Sequence, residues 1–384
     1  LAAACLVLSH VMIAALLIIP VALWWAHLWR ETGDRRRFAM ASIHAGVLTL
    51  LLTAYYWLPA AVEKPYTQFS ARVGDYYADH FLGFSQLVRS PWGFGFDLPG
   101  AAYDQMSFEL GDAQWVVVLA SAGLLALRVW RRSERDTRRL LGVLLGTFAA
   151  SVYFALPQGG WLYSLLRHAV VVDLPWKWLS VGVFCIATLA AIGLAGLGRT
   201  PRRQWGAAML LVAMAVHGNR NYVRVGGRDE ASDVAYWASD STSNDYGEYT
   251  PVGFDPDACS AGDAAFVTIT GESATDLIER RSNAVRFVAD VGSNTATIAA
   301  RVLWYPGWRA DIDDAPALLE RYAGRIAVTV PRGRHVVSLA FGETSVRRSA
   351  DALSFAALLY VALALGRYTW RRRRLFPARR RSPG

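Results

Sequence analysis

The residues best suited to chemistry lie in one stretch, 63 to 112, where Asp75, Asp79, Asp97, Asp104, Glu109 and Asp112 accompany His80. Carboxylates and imidazole take and return protons near neutral pH, and carboxylates also hold divalent cations. Asp75, Asp79, Asp104 and Glu109 are the candidate catalytic or metal-contacting acids, with Arg72 and His80 as substrate-binding neighbours. No fixed metal-ligand spacing joins them, so no cofactor is implied and a divalent metal stays an open expectation. The competing reading makes each acid a solvated loop residue, a helix cap or an ion-pair partner of Lys64, Arg72 or Arg89. At about 50 residues the stretch far exceeds an ordinary connection. Its aromatics, with Gly93, Gly95, Gly100, Pro91 and Pro99, argue against disorder.

A second polar cluster falls in 157 to 176, with Trp161, Tyr163, Arg167, His168, Asp173 and Trp176 ahead of Lys177. Arg167, His168 and Lys177 are candidates for a phosphate, with Trp176 beside them. The alternatives are an interfacial aromatic belt and a snorkelling lysine.

These residues must be positioned by membrane helices. The 384 residues are 54% hydrophobic and 18% charged, with mean hydropathy +0.23. That is too apolar for an ordinary soluble chain and too charged for spans alone. A bilayer core of about 30 Å needs roughly 20 apolar residues per helix. Seven runs qualify: 1 to 27, 38 to 62, 113 to 130, 140 to 156, 177 to 197, 205 to 217 and 352 to 367, of which 205 to 217 is the weakest. His10, His44 and His217 bring imidazoles into or beside them.

Every second connection is rich in arginine: Arg30 and Arg35 to Arg37, then Arg131, Arg132, Arg135, Arg138 and Arg139, then Arg199, Arg202 and Arg203. The tail continues with Arg371 to Arg374 and Arg379 to Arg381. The positive-inside rule places these and the C-terminus in the cytoplasm of a bacterial inner membrane, and puts 63–112, 157–176 and 218–351 outside it. The net charge of +9 therefore reads as orientation and contact with membrane lipid, with no nucleic-acid partner. Leu1 follows neither a methionine nor a basic n-region, so the opening run reads as an internal helix, and part of an active site is expected before it. Cys5, Cys185 and Cys259 are expected as free thiols.

Segment 218–351 changes character. Phe266–Thr270, Ala284–Val291, Thr295–Leu303, Arg325–Val330 and His335–Phe341 alternate apolar and polar residues between turn formers, which is the strand signal. The expected fold is an α-helical polytopic membrane protein of about seven spans with an extracytoplasmic, antiparallel β-sandwich-like domain. Its parts are a bundle over 1–217, the β-rich 218–351, a final span 352–367 and a basic tail 368–384. The Trp304, Tyr305, Pro306, Gly307, Trp308 cluster would sit at a strand end, where aromatics bind sugar rings, fill a core or rest on the bilayer.

The sequence holds no Walker, dinucleotide, HExxH or GxSxG motif, which argues against an ATPase, a nicotinamide enzyme, a zinc protease and an α/β-type serine hydrolase.

Several strings resemble a known group. Ser90 to Gly95 (SPWGFG) with Met106 to Gly111 (MSFELG) are similar to the long external loop of bacterial membrane proteins labelled 6-pyruvoyl-tetrahydropterin synthase-related, or YfhO-like. Leu174 to Leu179 (LPWKWL), Gly247 to Pro251 (GEYTP) and Tyr305 to Trp308 (YPGW) resemble further strings of that group, so that the resemblance runs the length of the chain. It adds Glu248 and Tyr249 to the substrate-binding candidates. It also implies likeness to GT-C glycosyltransferases, which take sugar from a polyprenyl-phosphate donor and pass it to a glycan or lipid acceptor. In that class the catalytic acid lies in the first external loop, which here would precede Leu1. The expectation is such a transferase, or its C-terminal portion, in envelope glycan or glycolipid assembly. The alternatives are a non-catalytic envelope protein whose β domain binds glycan or a partner, and a lipid or glycan transporter.

Overall fold

The computed structural model describes residues 1–90, 93, 95, 97–100, 104–127, 135–166, 172–197, 200–220, 247–255, 258 and 265–375. The chain forms two compact units, one gathering Ile43–Arg72 with Ser241–Gly384 and the other Ala2–Ser42 with Val73–Asp240. The sheet-bearing unit thus includes helical chain from both halves of the sequence.

The helical unit begins with α1 (Ala2–Ser9), α2 (Val11–Leu16) and α3 (Ile18–Glu31), followed by α4 (Arg35–Leu52), whose later part belongs to the other unit. After α5 (Ala54–Glu63) and α6 (Phe69–Val73) come α7 (Phe84–Val88), α8 (Asp112–Ala126), α9 (Arg135–Ala155), α10 (Gly160–Leu166), α11 (Leu179–Gly196) and α12 (Pro201–Gly218). Its core is built by Leu141, Phe148, Trp178, Val181, Cys185 and Leu189 with their neighbours. α9 and α11 approach closely because Gly182 lacks a side chain. A Cβ there would lie 2.8 Å from Ser151 Oγ.

Four helical stretches are long and apolar enough to cross a membrane: Val11–Glu31, Asp136–Ala155, Pro175–Gly196 and Ser345–Trp370. A fifth results if the bent pair Arg35–Leu52 and Ala54–Tyr66 counts as one span. The expectation of about seven spans is therefore met in part. The run 1 to 27 is interrupted at His10, whose Nδ1 accepts from the Ile13 N–H at 3.3 Å and caps α2. The run 113 to 130 yields a helix of 15 residues among the described ones. The run 205 to 217 lies in α12, whose start is diluted by Arg202, Arg203 and Gln204.

Two features lie at the bend: Pro59, inside α5, has no N–H to give the Tyr55 carbonyl one turn earlier, and a hydroxyl from another helix enters the ladder. α4 and α5 meet at 70° across Thr53, where the Ser354 hydroxyl enters the helical ladder. Tyr55 N–H donates to Ser354 Oγ at 2.9 Å, and that hydroxyl donates onward to Leu51 O at 3.0 Å. A hydroxyl inserted between residues i and i−4 opens the helix and bends it. Ser354 lies on α13 (Ser345–Leu375), which packs along α5.

The sheet-bearing unit holds one seven-stranded antiparallel sheet. Its strands are β1 (Phe266–Thr270), β2 (Ser273–Arg281), β3 (Ala284–Leu303), β4 (Trp308–Ile312), β5 (Ala315–Ala317), β6 (Leu319–Tyr322) and β7 (Arg325–Phe341). Two pairs of expected strands are single long ones, β3 and β7. In β3 the buried positions run Val285, Phe287, Ala289, Val291 and then Ala296, Ile298, Ala300. In β7 they run Ile326, Val328, Val330 and then Val337, Leu339. The phase slips by one residue in each strand, and a slip of one residue moves side chains to the opposite face. The ladder shifts register there, between Val291 and Thr295. The sheet consequently folds over on itself and both halves feed one core. The rings of Phe266 and Phe287, from opposite halves, lie 4.2 Å apart across the fold. The sandwich-like expectation thus holds in a coarser form, as one continuous folded sheet.

The sheet is fixed to its helices by a largely buried ion pair. Glu63 Oε2, at the end of α5, accepts from Arg347 Nη2 at 2.7 Å and Nε at 3.2 Å. Glu63 Oε1 accepts from Thr344 Oγ1 at 3.0 Å. Arg347 Nη2 also donates to the Pro306 carbonyl in the Tyr305 to Trp308 turn at 3.0 Å. That string is thus a structural joint.

Candidate functional site: a buried carboxylate and imidazole cluster

From Val73 onward the long loop belongs to the helical unit and folds into short turns pinned to it. Leu82 N–H donates to Ala155 O at 3.0 Å, Leu110 N–H to Leu87 O at 3.0 Å, and Trp115 Nε1 to Leu87 O at 3.1 Å. The glycines of the Ser90 to Gly95 string allow two strands of this loop to touch. A Cβ on Gly93 would stand 2.3 Å from the Gln105 carbonyl oxygen, and one on Gly95 would stand 2.2 Å from Gln105 Cβ. Their absence lets the chain on either side bring Asp97 and Asp104 together.

Asp97 Oδ2 accepts from Trp176 Nε1 at 2.5 Å. Its Oδ1 lies 3.0 Å from His80 Nδ1. That contact is close but not aligned as a hydrogen bond, and both imidazole nitrogens are buried without a hydrogen-bond partner among the described residues. Tyr76 stacks on the imidazole with ring centroids 4.0 Å apart. Asp104 Oδ2 accepts from Gln86 Nε2 at 2.7 Å and Oδ1 from Leu98 N–H at 3.1 Å. Gln86 is itself oriented, since its Oε1 accepts from Gly83 N–H at 2.7 Å. Burial first, and then hydrogen bonding and repulsion from Asp97, hold the Asp104 carboxyl above the ordinary carboxylate range.

Of the sequence candidates, His80, Asp104 and Trp176 are therefore brought together. Asp97 is one of several acids in the stretch and Gln86 carries no sequence signal. Both are central, and only the fold could single them out. Asp75 and Asp79 lie on the surface. Asp79 contributes its carbonyl, which accepts from Gly100 N–H at 2.7 Å. Glu109 Oε2 accepts from Ser90 N–H at 3.3 Å, and its other oxygen is 4.0 Å from Arg89. Lys177 Nζ donates to both oxygens of Asp173, at 2.6 and 2.8 Å. Arg167 and His168 lie outside the described residues, as does Cys259. Among the described cysteines Cys5 and Cys185 are free thiols.

The remaining candidates belong to the sheet-bearing unit. Arg72 Nε donates to Gln68 Oε1 at 3.3 Å. Glu248 is buried, with Oε2 lacking a hydrogen-bond partner among the described residues, and Tyr249 is exposed with its ring 6.0 Å from that of Phe69. Their string runs beside residues 66 to 68, where Gln68 N–H donates to Thr250 O at 2.9 Å.

An apolar cavity of about 210 Å³ lies in the helical unit, walled by Leu16, Ile19, Tyr77, Leu162, Tyr163 and Trp178 among others. Tyr77 stacks on Tyr163 with centroids 5.0 Å apart. Burial raises the Tyr163 phenol far above its ordinary value, and its hydroxyl donates to Phe154 O at 2.6 Å. Tyr76 and Tyr77, consecutive in the chain, thus serve the imidazole and the cavity respectively. Among the described residues no group of three or more His, Cys, Asp and Glu is placed to hold a metal ion.

No family model, no curated protein and no solved structure matches the chain.

Proposed function

We propose that the chain is a membrane glycosyltransferase, or the C-terminal portion of one, that moves a sugar from a polyprenyl-phosphate donor to an envelope glycan or glycolipid. The observation that carries this reading is the buried His80, Asp97 and Asp104 cluster, whose imidazole nitrogens form no hydrogen bond among the described residues. Enclosed titratable groups with unmet hydrogen bonds cost stability and collect where chemistry is done. The apolar cavity fronted by Tyr77 supports a substrate with a hydrocarbon tail. In this reading the bent pair and the runs 113 to 130 and 205 to 217 complete seven crossings, and 63–112, 157–176 and the sheet lie outside an inner membrane. Sugar transfer is also the function that the resemblance of the short strings to YfhO-like proteins implies.

In the transfer, the acceptor oxygen bonds to the sugar's anomeric carbon while the bond from that carbon to the phosphate oxygen breaks. The bonding electrons leave with the polyprenyl phosphate, and the acceptor's proton passes to the Asp97 carboxylate. Lys177 is engaged by Asp173, so it reaches the phosphate only by exchanging that partner. The test is sugar transfer from a polyprenyl-phosphate donor by membranes holding the full-length protein. Asp97→Asn and His80→Gln should each lower the rate by roughly 10²-fold or more. Full activity in both variants at matched expression overturns the proposal.

A second reading has its own support: both Asp104 oxygens are spent on hydrogen bonds within the loop. In that reading the cluster is a latch that shapes the loop of a non-catalytic envelope protein, and Asp104→Asn lowers stability without any transfer to lose.

A further inference from the structure

The head of α13 carries charges that form no ion pair among the described residues. An open cleft of about 220 Å³ lies between β4, the end of β7 and the first turn of α13, lined by Arg309, Ala340, Phe341, Gly342, Glu343 and Arg348. That is far more than the ~10–15 Å³ that one water occupies. Its floor is fixed, since Gly342 N–H donates to Gly307 O at 2.9 Å and Arg309 pairs with Ala340 in the ladder. Arg347, next in the chain to Arg348, is consumed by Glu63. Arg309, Arg348 and Glu343, in contrast, are exposed and form no ion pair among the described residues.

We propose that this cleft binds the zwitterionic phosphoethanolamine headgroup of a membrane phospholipid. Two guanidinium groups match a phosphate diester, which they can hold through paired N–H donors. The Glu343 carboxylate matches a primary ammonium group, which offers three N–H donors to it. A quaternary ammonium has no such donor, a glycerol headgroup has no positive charge, and a free phosphate gains from the arginines but is repelled by Glu343. The place fits a lipid, because the cleft lies at the head of the helix Ser345–Trp370, with Arg348 about one helical turn before the uncharged apolar run that starts at Ala352, which is the headgroup depth for a helix that crosses a bilayer. The proposal rests on α13 crossing a membrane and not on the transferase reading.

The test uses the full-length chain in a neutral detergent, with native mass spectrometry counting bound dioctanoyl phosphatidylethanolamine against the phosphatidylcholine and phosphatidylglycerol analogues and against inorganic phosphate. Phosphatidylethanolamine should bind about tenfold more tightly than the other two lipids, the step expected from one charge-assisted hydrogen-bonding group. Arg309→Gln with Arg348→Gln should remove that binding, whereas Glu343→Gln should keep lipid binding but erase the preference over phosphatidylglycerol. Each single arginine variant is also measured, so that misfolding of the double variant, seen as a lost cooperative melt, still leaves a decision. The proposal is overturned if the arginine variants retain wild-type binding, if the three lipids bind equally, if inorganic phosphate displaces the lipid stoichiometrically, or if no lipid is held.

Discussion

Ser354 occupies the place of a helical hydrogen bond that Tyr55 would otherwise make to Leu51. Its hydroxyl accepts from the Tyr55 N–H and donates to the Leu51 carbonyl, at 2.9 and 3.0 Å. Replacement by alanine either strands both groups or lets α4 and α5 straighten. Stranding two polar backbone groups costs about 1–3 kcal/mol each. Ser354→Ala should lower the melting temperature of the detergent-solubilised protein, and Ser354→Thr, which keeps the hydroxyl, should restore most of it. Equal melting of wild type and Ser354→Ala would show that the bend has another cause.

Asp104 gives a pH dependence whose sign follows from its raised pKa. The folded chain holds a proton that the unfolded chain releases above the ordinary value of 3.8. Stability from this group is therefore greatest at or below that pH and declines as pH rises through the folded value. Melting curves from pH 4 to 8 should show Asp104→Asn losing less stability than wild type over this range. Parallel curves would remove Asp104 from the account.

The β4–β5 turn carries a different titration. His335 Nδ1 lies 2.6 Å from Asp313 Oδ2, and the hydrogen bond between them raises the imidazole's pKa while lowering the carboxyl's. The histidine's contribution is complete below its ordinary 6.5 and lost as pH climbs through the raised value. The aspartate's is complete above 3.8 and lost as pH falls through the lowered one. The pair thus supports the turn fully between those limits. In His335→Gln the alkaline decline should flatten, and an unchanged decline would place its origin elsewhere.

Gly182 tests the contact of α9 with α11. A Cβ meets Ser151 Oγ at 2.8 Å and Phe148 Cδ2 at 3.5 Å, so alanine requires the hydroxyl to turn and valine requires the helices to part. Overpacking of this kind costs about 1–3 kcal/mol. Gly182→Val should melt well below Gly182→Ala, and Ser151→Ala should partly rescue the alanine variant. No difference between the two substitutions would contradict the close approach.

The sequence made the apolar helices and the strand pattern legible because burial imposes periods that a reader can count. β1 appears at its expected bounds. β3 and β7 were each read as two strands because the phase slip at Gly292 to Asn294 and at Pro331 to Arg334 resembles an interruption. β2 was missed because Ser273–Arg281 is a polar edge strand with little alternation to find. The site was legible in kind, as a loop of acids with a histidine, and not in detail. Trp176 reaches Asp97 across 79 residues of chain, and Ser354 reaches Tyr55 across 299. No local spacing encodes such meetings. The sequence reads Lys177 as a phosphate contact or a snorkelling lysine, whereas Asp173, four residues earlier, holds it.

The Glu63 and Arg347 joint has a mechanical consequence. Only Gly342, Glu343 and Thr344 separate the last residue of β7 from the first of α13, and Arg347 grips the Pro306 carbonyl on one side and the end of α5 on the other. A linker so short and so braced leaves no swivel. Any twist of α13 about its own axis would turn the sheet with it as one piece, so that the helix works as a crankshaft and the sheet as its arm.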